Sequence, residues 1–244
     1  MEIVTQYHPH MDIQPIATVR SDFEGRFGTP RQPGLVPDAR AEVLLHPPFN
    51  DPDALRGLAD SSHCWLIFGF HANADHSWRP TVRPPRLGGN RRLGVFATRS
   101  PFRPNGLGLS LVRLAGVLDP PGRGLAIRGA DVMDGTPVFD IKPYLPAIEA
   151  PADGRAPEGL GTASPQLGVR WSDAAQAALT AAPAHLGPLI EQTLAADPRP
   201  AYHHRGGREY GMRLLGHEVH WVARTTEARV IRITPVDAAP RPGC

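Results

Sequence analysis

The 244-residue chain has almost no lysine and very little cysteine. Lys142 is its one lysine, so arginine supplies the rest of the positive charge outside the histidines, and the formal net charge is only +2. Cys64 and Cys244 are the only cysteines, which argues against the disulfide framework of a small secreted domain. These shortages predict a reduced, cytoplasmic protein whose overall charge does not attract nucleic acid non-specifically.

Long apolar runs and nucleotide-binding glycine motifs are missing as well. The longest apolar run, CWLIFGF over residues 64–70, is far too short to cross a bilayer, and residues 1–20 lack the apolar segment of a signal peptide. Gly106 and Gly108 are not followed by a third glycine before a helix, and no glycine-rich phosphate loop is present. We therefore expect no membrane segment, and a nucleotide-like cofactor would not use the usual doubly wound fold.

Positive charge is instead concentrated in one segment. Residues 78–118 contain eight arginines and neither Asp nor Glu. Prolines and glycines interrupt the segment too often for a long helix. Guanidinium groups held on an irregular, rigid loop suit phosphates and carboxylates, because their fork of N–H donors matches these anions. The segment is therefore predicted to form the functional surface of the protein and to bind an anionic partner.

Short apolar runs separated by turns predict a mainly β, α+β fold. This spacing favours a barrel or sandwich over a parallel sheet alternating with long helices. We expect a β-barrel domain over residues 1–146, a linker or insert rich in Ala, Pro and Gly over 147–170, and a small α+β subdomain over 171–244. A short helix is expected over 51–58, and two more over 172–180 and 186–195. The strand candidates are residues 14–19, 41–45, 64–70, 94–97, 107–117, 125–128, 138–141, 209–215, 218–223 and 228–235.

Two clusters of polar residues admit more than one interpretation. His63, His71 and His76 bracket the 64–70 strand, but the first two stand at its opposite ends, so no metal site is expected. Asp134 and Gly135 form a strong turn dipeptide. A carboxylate in this region, which also contains Asp131, could equally hold an amino or hydroxyl group.

Six longer runs resemble the tRNA adenine-37 N6-methyltransferase O family. The resemblance covers residues 15–146 and 197–202, and it implies a β-barrel domain that binds S-adenosylmethionine, a homodimer, and methylation of N6 of threonylcarbamoyladenosine at position 37 of tRNA (t6A to m6t6A). One departure is Gly106, where the family commonly has proline. The runs are TPRQPGLV (29–36), HCWLIFGFH (63–71), WRPTVRPPRLGGN (78–90), GVFATRSPFRPN (94–105), DGTPVFDIKPYLP (134–146) and DPRPAY (197–202).

The resemblance also implies site residues. We expect Asp134 to accept the N6 proton, with Lys142 and Tyr202 shaping the pocket. The arginines are expected to hold the phosphates of the anticodon loop, whose unstacked bases are accessible. The implied cofactor contacts are Pro30, Arg31, Gln32, His71, Ala72, Arg99, Leu109, Val132, Met133, Asp134 and Gly135. The expected RNA contacts are Arg79, Arg83, Arg86, Arg91, Arg92, Arg103 and Arg199.

Two other functions compete with this one. A non-catalytic barrel could serve as an RNA-binding platform, which the retained cofactor-contact residues argue against. A methyltransferase acting on a different acceptor would keep those residues and differ only in what it recognises. Nothing in the sequence excludes this second alternative.

Overall fold

Six antiparallel strands close a barrel in the N-terminal part of the chain. The computed structural model describes residues 12–73, 77–84, 91–120, 122–160, 166–199 and 207–236. The barrel order is β1-β2-β7-β6-β3-β8, and β4 and β5 pair separately. In chain order the strands are β1 (Ala17–Ser21), β2 (Arg40–Leu45), β3 (His63–Gly69), β4 (Thr81–Val82), β5 (Leu93–Gly94), β6 (Leu107–Val117), β7 (Gly124–Arg128) and β8 (Pro137–Pro143).

Alternating side chains fill the barrel. In β3 the buried residues are Cys64, Leu66 and Phe68, and their neighbours along the strand are only partly buried, which is the period-two pattern of a strand with one face in the core. They pack in the same cluster as Val43 and Val138 from other strands. Burial raises the pKa of the Cys64 thiol to about 11, so this cysteine is an inert core residue. The predicted mainly β fold with an N-terminal barrel is confirmed.

Two predicted elements are wrong in detail. The helix expected over residues 51–58 is two 3₁₀ turns, Pro52–Leu55 and Leu58–Asp60, because Gly57 between them adopts a left-handed φ of 83°. The strand expected over residues 94–97 ends at Gly94 and continues as the 3₁₀ turn Val95–Ala97. The carbonyl of Val95 accepts from the Arg103 guanidinium and from the backbone N–H of Thr98. This carbonyl is therefore not available to pair with a neighbouring β-strand.

The C-terminal part forms a four-stranded sheet with two helices. Its order is β10-β11-β12-β9, with β9 parallel to β12. The linker predicted over residues 147–170 therefore contains regular structure at both ends, since α1 covers its first residues and β9 its last. The elements are α1 (Pro146–Glu149), β9 (Gly168–Trp171), α2 (Asp173–Leu179), α3 (Leu186–Ala195), β10 (Glu209–Leu214), β11 (His217–Ala223) and β12 (Glu227–Pro235).

The second hydrophobic core joins the two parts of the chain. Phe23, Val36 and Ala39 belong to the segment between β1 and β2, yet they are buried in one cluster with Leu189 and Trp221 of the C-terminal sheet and helices. We call residues 22–39 the 22–39 loop. The loop leaves the barrel and packs on the C-terminal unit before it returns. Among the described residues, no helix has both the length and the apolar character needed to cross a membrane.

Candidate active site

A cavity of about 1780 Å³ opens at one side of the barrel. The barrel contributes the end of β3, the start of β6 and residues 131–133. One wall comes from the 22–39 loop, through Arg26 and residues 29–32, which we call the loop wall. A second wall, which we call the arginine wall, consists of the segments 79–84 and 92–103, most of whose residues line the cavity. The cavity exceeds the usual volume of about 300–1,000 Å³ for a small-molecule site, so it has room for a cofactor and part of a larger substrate.

Most of the predicted cofactor contacts line this cavity. The two that do not are Asp134 and Gly135, which lie in a turn hydrogen-bonded to the barrel backbone. The Asp134 Oδ1 accepts from the Ser21 N–H at 2.9 Å, and the Gly135 N–H donates to the Val19 carbonyl at 2.8 Å. Gly135 adopts a φ of 76°, as the predicted turn requires. The lining residues are Pro30, Arg31, Gln32, His71, Ala72, Arg99, Leu109, Val132 and Met133.

One side-chain contact ties the two walls together. The Arg99 Nη1 donates to the Gln32 Oε1 at 2.8 Å. Arg99 belongs to the arginine wall and Gln32 to the loop wall, and the sequence predicts both as cofactor contacts. The hydrogen bond holds one N–H edge of the guanidinium, so Arg99 lies where the two walls meet.

Asp131 is the only carboxylate among the described residues that line the cavity. Burial raises its pKa to about 6, even though the Ser110 hydroxyl, its own backbone and the charge of Arg99 all favour the ionised form. The Ser110 Oγ donates to its Oδ1 at 2.5 Å. The sequence points to Asp131 without assigning it to the site, and Ser110 lacks the flanking glycines of a nucleophilic serine. The alternation of β6, which turns Ser110 inward with Val112, is the signal that would have indicated it.

His71 and Arg26 form a second polar group at the cavity. The Arg26 guanidinium donates to the Ala72 carbonyl. Burial and the nearby charge of Arg26 lower the pKa of His71, and the opposing charge of Asp134 raises it less. The imidazole is therefore neutral at neutral pH. Arg26 is not among the predicted site residues, since nothing in its local sequence pattern distinguishes it from other arginines.

Of the two residues expected to shape the pocket beside Asp134, only Lys142 belongs to the described residues, and it lies away from the cavity. The Lys142 Nζ pairs with the Asp140 Oδ2 at 2.9 Å, its side chain is 61% exposed, and it does not line the cavity. The hydrogen bond and charge of Asp140 raise the pKa of Lys142. A register shift in β8 explains the difference: after it, Ile141 pairs with the buried Leu66, so Lys142, which pairs with Trp65, lies on the outer face of the strand. Tyr202 lies outside the described residues.

Six of the seven predicted RNA contacts belong to the described residues, and these six divide into three groups. Arg79, Arg83, Arg92 and Arg103 lie on the arginine wall and line the cavity. Arg91 lies beside the wall and pairs with Glu158 at 2.9 Å. Arg199 does not fit the expectation of an RNA contact, because only 2% of its side chain is exposed and its guanidinium is paired with Asp197. Arg86 lies outside the described residues.

Two glycines at the start of β6 shape the cavity for different reasons. Gly108 packs under the Phe68 ring, whose Cζ would lie 2.3 Å from any Cβ at this position. Gly106 adopts a φ of 59°, which proline cannot reach, so the backbone here differs from that of a chain with proline at this point.

Among the residues described, no group of three or more His, Cys, Asp or Glu side chains could hold a metal ion.

Comparison with known proteins identifies the family. The sequence model of the tRNA-methyltransferase O N-terminal domain matches residues 18–150, and that of the TrmO C-terminal domain matches residues 164–236. The chain belongs to the tRNA-methyltransferase O family. The predicted family, enzyme class and cofactor, S-adenosylmethionine, are confirmed.

Individual relatives match most of the chain. It is 43% identical over 221 residues to the tRNA (adenine(37)-N6)-methyltransferase of Escherichia coli, covering 88% of this chain and 93% of that protein. It is 49% identical over 215 residues to a putative S-adenosylmethionine-dependent methyltransferase, RcsF, of Pseudomonas aeruginosa, covering 86% and 91%. The crystal structure of TrmO from P. aeruginosa superposes with a TM-score of 0.79 at 40% identity, covering 94% of this chain and 99% of that one.

The chemistry of the cavity fits this family's cofactor. The amino acid end of S-adenosylmethionine carries a carboxylate and an ammonium group. Arg99 and Asp131, which both line the cavity and interact electrostatically, offer a matching cation and anion. Leu109 and Val132 add apolar surface for the uncharged remainder.

Proposed function

We propose that this protein methylates N6 of threonylcarbamoyladenosine at position 37 of tRNA, converting t6A to m6t6A. The observation that carries the proposal is a single cavity bounded by two unlike walls. The loop wall holds residues 30–32, which the family resemblance assigns to the cofactor, and the arginine wall lines the same cavity. A small cofactor and an RNA loop could thus meet in one space, as methyl transfer requires.

The cofactor supplies a methyl group bound to a positively charged sulfur. In the proposal Arg99 binds its carboxylate, and Asp131 binds its ammonium group once the carboxyl is ionised. Gln32 supports Arg99 through the hydrogen bond between the walls. These contacts hold the methyl donor in one orientation, and positioning is the main requirement of an in-line displacement.

Asp134 is the proposed acceptor of the proton that N6 loses. It follows Met133 of the cavity lining and interacts electrostatically with His71, so it stands at the edge of the site. Its Oδ1 is fixed by the Ser21 N–H, which orients the carboxylate. A neutral His71 beside it leaves the carboxylate free of a fixed cationic partner on that side.

The arginine wall is the proposed site for the anticodon loop. Arg83 and Arg92 are exposed and line the cavity, which suits backbone phosphates. Phe96 is 75% exposed and lies under the Arg103 guanidinium at 5.9 Å, which offers a ring face for an unstacked base. The carboxylate of the threonyl group would suit one more arginine of the same wall.

The test is a methylation assay on two tRNA pools, one that carries threonylcarbamoyladenosine and one that lacks it. Nucleoside mass spectrometry should find one added methyl group only in the first pool. Product from both pools, or from the second alone, would overturn the proposed acceptor and favour a methyltransferase of another substrate. The homodimer and the cytoplasmic location stay predictions.

A further inference from the structure

The 22–39 loop is held in place by the C-terminal unit. Its first residues bridge to β10, where Phe23 pairs with Leu214 in an isolated antiparallel bridge. Phe27 stacks on Tyr210 and Trp221, with ring centroids 5.9 and 6.3 Å away. The loop that forms one wall of the cavity is therefore packed against the C-terminal aromatic core.

Polar contacts tie the same loop to three further points of the C-terminal unit. The Asp22 carboxylate lies 2.8 Å from the His185 Nε2. The Gly216 N–H donates to the Glu24 Oε1 at 2.6 Å. At the other end of the loop, the Asp38 N–H donates to the Gln192 Oε1 at 3.0 Å, and the Gln192 Nε2 donates back to Asp38 at 2.6 Å. These contacts involve α3, the turn before it and the β10–β11 turn.

One contact reaches a residue of the cavity lining directly. The Arg31 guanidinium donates to the backbone carbonyl of Arg199. That carbonyl belongs to the DPRPAY run, the one C-terminal run among the six on which the resemblance rests, and the proposed chemistry does not otherwise use it. A backbone acceptor can orient Arg31 only if the backbone around it is itself fixed.

The backbone at Arg199 is fixed by a buried ion pair. The Asp197 carboxylate accepts from the Arg199 Nε at 2.7 Å and from its Nη2 at 2.9 Å. Asp197 has a left-handed φ of 47°, which Asp tolerates better than most residues. Because the pair is two-pronged and the Arg199 side chain is 98% buried, it closes a small, rigid ring of chain at this point.

We propose that Asp197 and Arg199 are positioning residues for Arg31, through which the C-terminal unit sets the cofactor affinity of the barrel. Orienting Arg31 before the cofactor arrives reduces the side-chain entropy that binding would otherwise cost. The inference rests on the proposed assignment of Arg31 to the cofactor. It gives the C-terminal unit a role that does not depend on contact with RNA.

The experiment measures S-adenosylmethionine binding by calorimetry with the full-length protein. Asp197→Asn removes the charge and keeps a residue that tolerates the left-handed backbone. We expect its dissociation constant to rise roughly tenfold, as does that of Arg199→Lys, which cannot form the two-pronged pair. Asp53→Asn breaks an exposed Asp–Arg pair with Arg56 and should leave the constant unchanged.

A double-mutant cycle separates positioning from general loss of structure. If Asp197 acts through Arg31, Asp197→Asn should weaken binding no further once Arg31→Ala is present. Equal effects of Asp197→Asn in both backgrounds would overturn the inference, as would normal cofactor binding by Asp197→Asn. Should that variant melt early, the same cycle run with Arg199→Lys decides by the same criteria. Normal binding by Arg31→Ala would instead refute the assignment of Arg31 to the cofactor, and with it the inference.

Discussion

The two walls of the cavity are built in opposite ways. The loop wall belongs to a segment whose apolar side chains, Phe23 and Val36, are at most 1% exposed and lie in a core shared with the C-terminal unit. The arginine wall consists of short strands and turns, and its Phe96 is 75% exposed. Its hydrogen bonds among described residues are largely internal, such as those from Arg103 to the carbonyls of Val95 and Thr98.

This difference matches the two partners that the proposed reaction needs. A small cofactor gains affinity from a surface that is rigid before binding, because less conformational entropy is lost. An RNA loop is held mainly through its phosphates, and exposed, separately anchored arginines can adjust to them. We call the lining residues from the end of β3, the start of β6 and 131–133 the floor of the cavity. The comparison predicts that substitutions on the loop wall and in this floor change cofactor binding, and that those on the arginine wall change RNA binding.

The largest expected effect is that of Arg99→Ala, because this residue joins the two walls. The variant loses the Gln32 contact and the proposed partner of the cofactor carboxylate. We expect methyl transfer to fall by roughly 100-fold or more, with weaker cofactor binding and an unchanged melting temperature. Activity on threonylcarbamoyladenosine tRNA and calorimetric binding measure the two effects.

Arg113→Ala is the matched control for Arg99→Ala. Arg113 lies on β6, is exposed, and does not line the cavity, so its removal should leave both measurements unchanged. If Arg99→Ala bound the cofactor normally and lost only tRNA affinity, Arg99 would belong to the arginine wall alone and the contact between walls would have no role in cofactor binding.

The next effect concerns the floor of the cavity and depends on pH. Burial raises the pKa of Asp131 to about 6 from the 3.8 of a free carboxyl. Without cofactor, the folded state therefore binds more protons than the unfolded state between these values, and stability falls as pH rises from about 4 to about 6. Asp131→Asn has no carboxyl to titrate here and so does not lose this stability. The unfolding free energy of the variant minus that of the parent should therefore increase by up to about 3 kcal/mol between pH 4 and pH 8.

Denaturant unfolding at several pH values measures this difference. Asp60→Asn, at an exposed position, serves as the control and should show no such growth. A pH-independent difference between Asp131→Asn and the parent would mean that the floor is well solvated. The floor of the cavity and the arginine wall would then not differ in their exposure to solvent.

Short apolar runs separated by turns predicted a barrel or sandwich and the strands β3 and β6. The family resemblance predicted the barrel itself and most of the cavity lining, including Pro30–Gln32 of the loop wall. Asp131 was harder to assign than Asp134, because a carboxylate's role depends on the burial and partners that a neighbouring strand supplies. Ser110, from β6, is that partner, and sequence separation hid the pair.

Contacts between distant segments could not be predicted at all. Arg199 resembled an RNA contact in sequence because a Pro-rich, charged run usually lies at the surface. Its burial depends on the ion pair with Asp197 and on the packing of the 22–39 loop. The packing cannot be deduced from the sequence around Arg199. The strand β9 was also missed, since its alternation extends over only four residues, too few to distinguish a strand from a loop.

The smallest expected effects are those of single arginines on the open wall. Arg83→Ala and Arg92→Ala should each weaken tRNA binding several-fold and reduce the slope of log K against log salt by about one, because each removes one phosphate contact. Arg91→Ala should change the slope less, since Glu158 already pairs with that guanidinium. Titrations of binding at several salt concentrations measure the slopes, with Arg128→Ala, an exposed arginine of β7 outside the cavity lining, as the control. A slope unchanged by both Arg83→Ala and Arg92→Ala would place the RNA elsewhere, and the open wall would then need another explanation for its charge.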